Sequence, residues 1–229
     1  MTNPRRRAQH GRMPRAILYD YFRSSAAYRV RIALNLKGVD YEQRPVNLAE
    51  GAQKSPEYHA LNPQNFVPML EIDGHRLTQS LAICDYLDAN FDPNPFVPRD
   101  PADRSHVLAL ALAVACDIHP LNNLRVLKYL TGTFDVGEDG KDQWYRHWVT
   151  EGLTALEELA KPRAGAFLFG DTPTLADICL VPQLYNARRF SVPIVQFPTL
   201  RRADETASAH EAFAAAHPDR QVAARQETV

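Results

Sequence analysis

Two hydroxyls at a strand-to-helix corner are the first residues here whose placement suits chemistry. Ala16-Ile17-Leu18-Tyr19 is an apolar run of strand length, and after it Ala26, Val30, Ala33 and Leu34 recur at helical spacing. Ser24 and Ser25 fall between the two, and serine is a favoured helix N-cap. The first N–H groups of a helix have no partner within it, and with the helix dipole they make a site for an anion. Taken alone, the two serines read best as a plain cap.

A second corner lies at Gln79-Ser80, before Leu81, Ile83, Cys84 and Leu87 at helical spacing. Its hydroxyl and free N–H groups suit a carboxylate, and a simple cap has equal weight. His119 and Asn123 would share one helical face if Pro120 leaves the helix intact. A lone histidine there is ordinarily a structural group. Arg23, Arg125, Arg188 and Arg189 each offer the paired donors that match a carboxylate, although each alone also fits a solvated surface charge. Cys84, Cys116 and Cys179 lie far apart without metal or redox spacing. Cys84 and Cys116 read as inert core thiols, in keeping with a reducing cytosol. No metal site is expected.

The elements that must hold these residues fall into two groups. Residues 1–14 are Arg-rich, without an acidic residue or an apolar core, and read as a disordered leader. Residues 15–90 read as strand, helix, strand, loop, hairpin and helix. Tyr41 to Val46 is the second strand, with Pro45 pointing to a sheet edge. A short helix fits near Pro56 to Leu61, and Asp73-Gly74 between apolar runs marks a hairpin. Pro93, Pro95, Pro98 and Pro101 make 91–101 a linker. Residues 102–221 carry only helical patterns. Pro120 should kink or break the first helix. Residues 131–140 read as a Gly- and acid-rich loop, and Tyr145, Trp148, Gly152, Leu156 and Leu159 mark a further helix. Thr174 to Asp177 reads as a capping box, Phe197-Pro198-Thr199 opens the last helical part, and 222–229 is a loose tail.

The chain has 26 Lys and Arg against 27 Asp and Glu, a net charge of -1, so no basic excess points to nucleic acid or an anionic membrane. Its longest apolar run, Val107 to Cys116, falls well short of the ~20 residues of a membrane span. No nucleic-acid or membrane partner is expected.

The stretch Ser24-Ser25-Ala26-Ala27-Tyr28-Arg29-Val30-Arg31-Ile32-Ala33-Leu34 resembles the active-site signature of zeta-class glutathione transferases, Ser-Ser-Cys-x-Trp-Arg-Val-Arg-Ile-Ala-Leu. Ala26 stands for the family's Cys and Tyr28 for its Trp. The resemblance extends through Ala60 to Gln64, Val67-Pro68, Gln79 to Ile83, Asp117 to Leu127 and Gly170 to Gln183. It implies an N-terminal thioredoxin-like domain (α/β) and a C-terminal all-α domain, homodimeric and cytoplasmic. Glutathione is the implied cofactor and a small diacid the substrate. Ser24 and Ser25 would be catalytic. Ser24 through Arg29 would surround the thiol, Gln53 and the backbone of Val67 (before a cis Pro68) would hold the peptide, and Gln79 and Ser80 the γ-glutamyl end. His119, Asn123 and Arg125 would line the same cleft, with Asn122 and Leu124 weaker candidates. Arg23, Arg125 and Arg189 would take the substrate carboxylates, Arg188 competing for the last role. The implied reaction is cis–trans isomerisation of maleylacetoacetate to fumarylacetoacetate in tyrosine and phenylalanine catabolism, by reversible thiolate addition. Maleylpyruvate and 2-halo acids are the alternative substrates.

Overall fold

Burial alternates along Ala16–Asp20 (β1) in the computed structural model, which describes residues 16–221; the expected leader and tail lie outside them. The chain then turns into α1 (Ser25–Leu36) and returns as β2 (Tyr41–Pro45), parallel to β1. Pro45 does lie on an edge strand, because the sheet order is β2-β1-β3-β4. α2 (Pro56–Leu61) leads to a cis Val67–Pro68 peptide and the hairpin of β3 (Met69–Ile72) and β4 (His75–Thr78). Asp73 and Gly74 have φ of 51° and 80°, the pair of positive values that a tight hairpin turn requires and Asp-Gly supplies. α3 (Ser80–Asn90) closes this thioredoxin-like lobe. Lys37 then holds the linker: its Nζ meets Asp88 Oδ1 at 2.8 Å and the carbonyls of Pro93 and Asn94 at 3.2 and 2.9 Å.

The remainder is helical: α4 (Pro101–Leu112), a π-helical segment Ala113–Ile118, a 3-10 turn Pro120–Asn122, α5 (Leu124–Thr133), α6 (Glu138–Ala160), α7 (Leu175–Arg189), α8 (Pro198–Ala209) and α9 (Glu211–Ala216). Pro120 breaks the first helix as its missing N–H demands. Two expectations need correction. The loop read over 131–140 is largely helix, because α5 runs to Thr133 and α6 begins at Glu138; Glu138 and Asp139 there favour a helix N-terminus. Cys116 is exposed rather than core, since the π segment buries Val114 and Ile118 on either side of it. The buried stripe of α6 runs through Tyr145, Val149, Leu153, Leu156 and Ala160, leaving Leu159 exposed.

Among the described residues one stretch, Pro101–Thr133, is long and apolar enough to cross a membrane. It is broken at Pro120–Asn122, and Val107, Leu110, Ala111, Val114 and Ile118 are buried in the core. Gly152 on α6 permits that packing: a Cβ there would lie 2.3 Å from Ile118 Cγ1.

The main core cluster runs through both lobes, with α1 at the seam, and a smaller one of Val46, Tyr58 and Val67 lies apart. α1 packs on α3, α7 and α9, and its Ser25 and Ala27 to Leu34 are buried, as expected of a helix surrounded by others. Even its charges are inside. Arg31 Nη1 meets Asp20 Oδ2 at 2.7 Å, Nη2 the carbonyl of Phe22 at 2.9 Å, and Nε the carbonyl of Ala216 at 3.0 Å.

Candidate active site

Strand register brings the predicted residues to one end of the sheet. Tyr19 pairs with Met69 and Met69 with Thr78, so the end of β1, the start of β3 and the end of β4 lie side by side. The segments at that end are Ser24-Ser25, Val67-Pro68 and Gln79-Ser80. Ser24 is the N-cap of α1, with Oγ accepting from the Ala27 N–H at 3.2 Å. Its oxygen accepts there, and the Ser24 hydroxyl keeps its one proton to donate. Ser25 Oγ accepts from Asn186 Nδ2 of α7 at 2.5 Å. Ala26 is half-buried and Ala27 fully buried.

The Tyr28 side chain is buried in the core. Its ring packs edge-on against Tyr185 and His217 at 6.3 and 6.1 Å, under the Arg31 guanidinium, and burial pushes its hydroxyl pKa above the ordinary value. Arg29 is buried and donates from Nη1 to Ser80 Oγ at 3.4 Å. Gln79 stands at φ 67° before α3 and donates from Nε2 to Gln64 Oε1 at 2.9 Å. Gln53, in a 3-10 turn, has its Oε1 buried with no hydrogen-bond partner.

The predicted residues of the helical lobe need one correction. His119 and Asn123 do not share a helical face: the 3-10 turn intervenes, and Asn123 is the N-cap of α5, its Oδ1 accepting from the Arg125 N–H at 3.2 Å. Arg125 follows that cap, and its guanidinium lies 4.9 Å from the ring of Phe66, the residue before Val67. His119 is pushed down to about 3 by burial and then by the charge of Arg29, so it is neutral at physiological pH. Asn122 is buried, donating to the Ile118 carbonyl at 3.3 Å, whereas Leu124 is 40% exposed.

The two competing arginines have different partners. Arg188 is engaged by the buried Asp204. Arg189 Nη1 reaches Asn186 Oδ1 at 3.4 Å, which makes a chain from Ser25 through Asn186 to Arg189. Asn186 was missed in the sequence; its position three residues before Arg189 on a helix was the available signal. Arg23 is exposed, 4.7 Å over the Phe22 ring.

Comparison with known proteins gives the family. The glutathione S-transferase N-terminal domain matches residues 14–89 and the C-terminal domain residues 142–219. The chain belongs to the glutathione S-transferase family. It is 50% identical to a maleylacetoacetate isomerase of Rhizobium meliloti, over 89% of this chain and 96% of that one. A solved maleylpyruvate isomerase, a bacterial glutathione S-transferase of the zeta class, matches with a TM-score of 0.88 at 42% identity, over 90% of this chain and 98% of that one. A maleylacetoacetate isomerase from Methylobacterium extorquens, solved with malonate and glutathione bound, matches at 0.87 and 40% identity, with the same coverage.

As in any glutathione S-transferase, the site must accept a tripeptide with two carboxylates and a thiol, and the polar groups present fit it. Ser24 offers a hydroxyl to sulfur, the start of α3 with Ser80 offers donors to a carboxylate, and the orphaned Gln53 Oε1 can accept an amide N–H.

Proposed function

We propose that this glutathione S-transferase isomerises the cis double bond of maleylacetoacetate to give fumarylacetoacetate. The supporting observation is the intact Ser24 hydroxyl at the N-terminus of α1, in a chain half identical to a maleylacetoacetate isomerase. Glutathione, when bound, supplies a thiolate that adds reversibly to the double bond and leaves unchanged once the bond has rotated. Ser24 and Ser25 are the catalytic pair. Ser24 donates its proton toward sulfur, and Ser25 holds Asn186, which orients Arg189. Lowering an ordinary thiol pKa of ~8.5 by about two units needs ~2.7 kcal/mol. One hydrogen bond to a charged group, about 1.5–3 kcal/mol, and the helix dipole, about 0.3–1 kcal/mol, supply that.

The backbone from Ala26 to Arg29 lines the thiol, Gln53 and Val67 hold the peptide, and Gln79 and Ser80 hold the γ-glutamyl carboxylate. His119, Asn123 and Leu124 flank them from the helical lobe. Arg23, Arg125 and Arg189 take the substrate carboxylates and stabilise the negative charge that develops on the ketone oxygen. Residues 15–90 thus form the glutathione-binding domain and 102–221 the substrate-binding domain, in a cytoplasmic homodimer.

A second reading, maleylpyruvate as substrate, is favoured by the likeness to the maleylpyruvate isomerase structure. An absorbance assay of cis–trans conversion, run on both diacids with and without glutathione, tests both. Glutathione-dependent conversion, faster for maleylacetoacetate, is expected. Faster conversion of maleylpyruvate selects the second reading, and no conversion of either overturns both.

A further inference from the structure

We propose that Arg29 is the buried counter-charge of the glutathione site, a positioning residue acting through the Ser80 hydroxyl on the carboxylate at the start of α3. The proposal rests on the assignment of Ser80 to that carboxylate.

Arg29 and Arg31 lie on the same helix and are both fully buried, but only one of them is neutralised. Arg31 has Asp20 and two carbonyls. Among the described residues Arg29 has no carboxylate at ion-pair distance; its one hydrogen bond runs from Nη1 to Ser80 Oγ, at 3.4 Å, and its Nε and Nη2 are buried without partners. Three groups that sense its charge carry none to answer it. They are His119, held neutral, and the buried thiols of Cys84 and Cys179, whose pKa values burial raises. A buried guanidinium left this way is costly unless an anion comes close.

The geometry points to where that anion sits. Ser80 Oγ accepts from Arg29, so its own proton is directed elsewhere. α3 has no side-chain cap at Gln79, and its first N–H groups are open to a ligand. A carboxylate accepting from the Ser80 hydroxyl and these N–H groups sits in front of the Arg29 charge, linked to it by one hydroxyl. The charge that burdens the ligand-free fold is the charge that binds the ligand.

The test uses calorimetric titration and thermal unfolding of the wild type, Arg29→Met and Arg29→Lys. The probes are glutathione and S-methylglutathione, with no diacid present. Arg29→Met is expected to lose roughly 10–100-fold in affinity for both probes, the scale of one charge-assisted hydrogen bond. Its ligand-free Tm should stay level or rise, because an apolar side chain replaces an unanswered charge, and the Tm gain on adding glutathione should shrink. Arg29→Lys should keep most of the affinity, and Ser80→Ala combined with Arg29→Met should lose less than the sum of the two. An Arg29→Met protein that is less stable without ligand, or fails to fold, makes Arg29 a structural residue and overturns the proposal, as does unchanged affinity. A wild type that binds neither probe overturns instead the glutathione assignment on which the proposal rests.

Discussion

Ser24 and Ser25 are adjacent and chemically identical, yet their partners differ. Ser24 Oγ takes a backbone N–H of its own helix, whereas Ser25 Oγ takes the Asn186 amide from the other lobe. Ser24→Ala should therefore cost ~1 kcal/mol of stability through the lost cap and slow turnover about 10–100-fold through the lost hydrogen bond to sulfur. Ser24→Thr should keep most of both, and kinetics beside urea unfolding would separate the two losses. Near-normal turnover of Ser24→Ala would remove the hydroxyl from the reaction. His119 makes a prediction about acid. Its folded pKa, about 3, lies below the unfolded value of 6.5, so the unfolded chain takes up the extra proton between them. Stability from this group is complete above pH 6.5 and is lost as the pH falls toward 3, by at most ~1.4 kcal/mol per unit. His119→Gln should flatten the fall in stability between pH 6.5 and 4, measured by urea unfolding; an unchanged slope would mean the imidazole is solvated.

At the scale of elements, local signals were legible and distant ones were not. The capping box of α7 can be read from Thr174 and Asp177, and it is there: Asp177 Oδ2 accepts from the Thr174 N–H at 2.8 Å and its hydroxyl at 2.9 Å. The hairpin turn and the break at Pro120 were equally plain, each set by the backbone limits of one or two residues. The cap of α8 was not legible. Phe197 cannot cap it, and a carboxylate distant in sequence does: Glu157 of α6 accepts from the N–H groups of Thr199 and Leu200, both at 3.1 Å. The burial of Arg29 was hidden for the same reason, since α1 alone gives no sign that α3 and α7 enclose it. Glu157→Ala should leave two buried donors unanswered and cost about 3 kcal/mol, seen as a lower urea midpoint. Glu157→Gln, keeping one acceptor oxygen, should lose less. A loss below that of an ordinary surface substitution would show that α8 does not depend on this carboxylate.

The molecule as a whole is tied together where the first strand meets the last helices. Asp20 ends β1, Arg31 lies on α1 and the Ala216 carbonyl ends α9, and one guanidinium joins all three. Gln43 on β2 adds a bond to Asp20 at 3.3 Å and one to Gln221 at 2.9 Å. With the core also continuous across α1, neither lobe has a boundary at which it could unfold alone. The chain's 2 tryptophans allow a direct test, because Trp144 and Trp148 both lie on α6 in the helical lobe. Asp20→Asn, a change in the sheet lobe, leaves Arg31 buried without its counter-charge, a loss of about 3–5 kcal/mol. Tryptophan fluorescence and far-UV circular dichroism should then report the same lowered urea midpoint in a single transition. If the fluorescence midpoint holds its wild-type value while the dichroism splits into two steps, the lobes fold independently and the Arg31 junction is only a local contact.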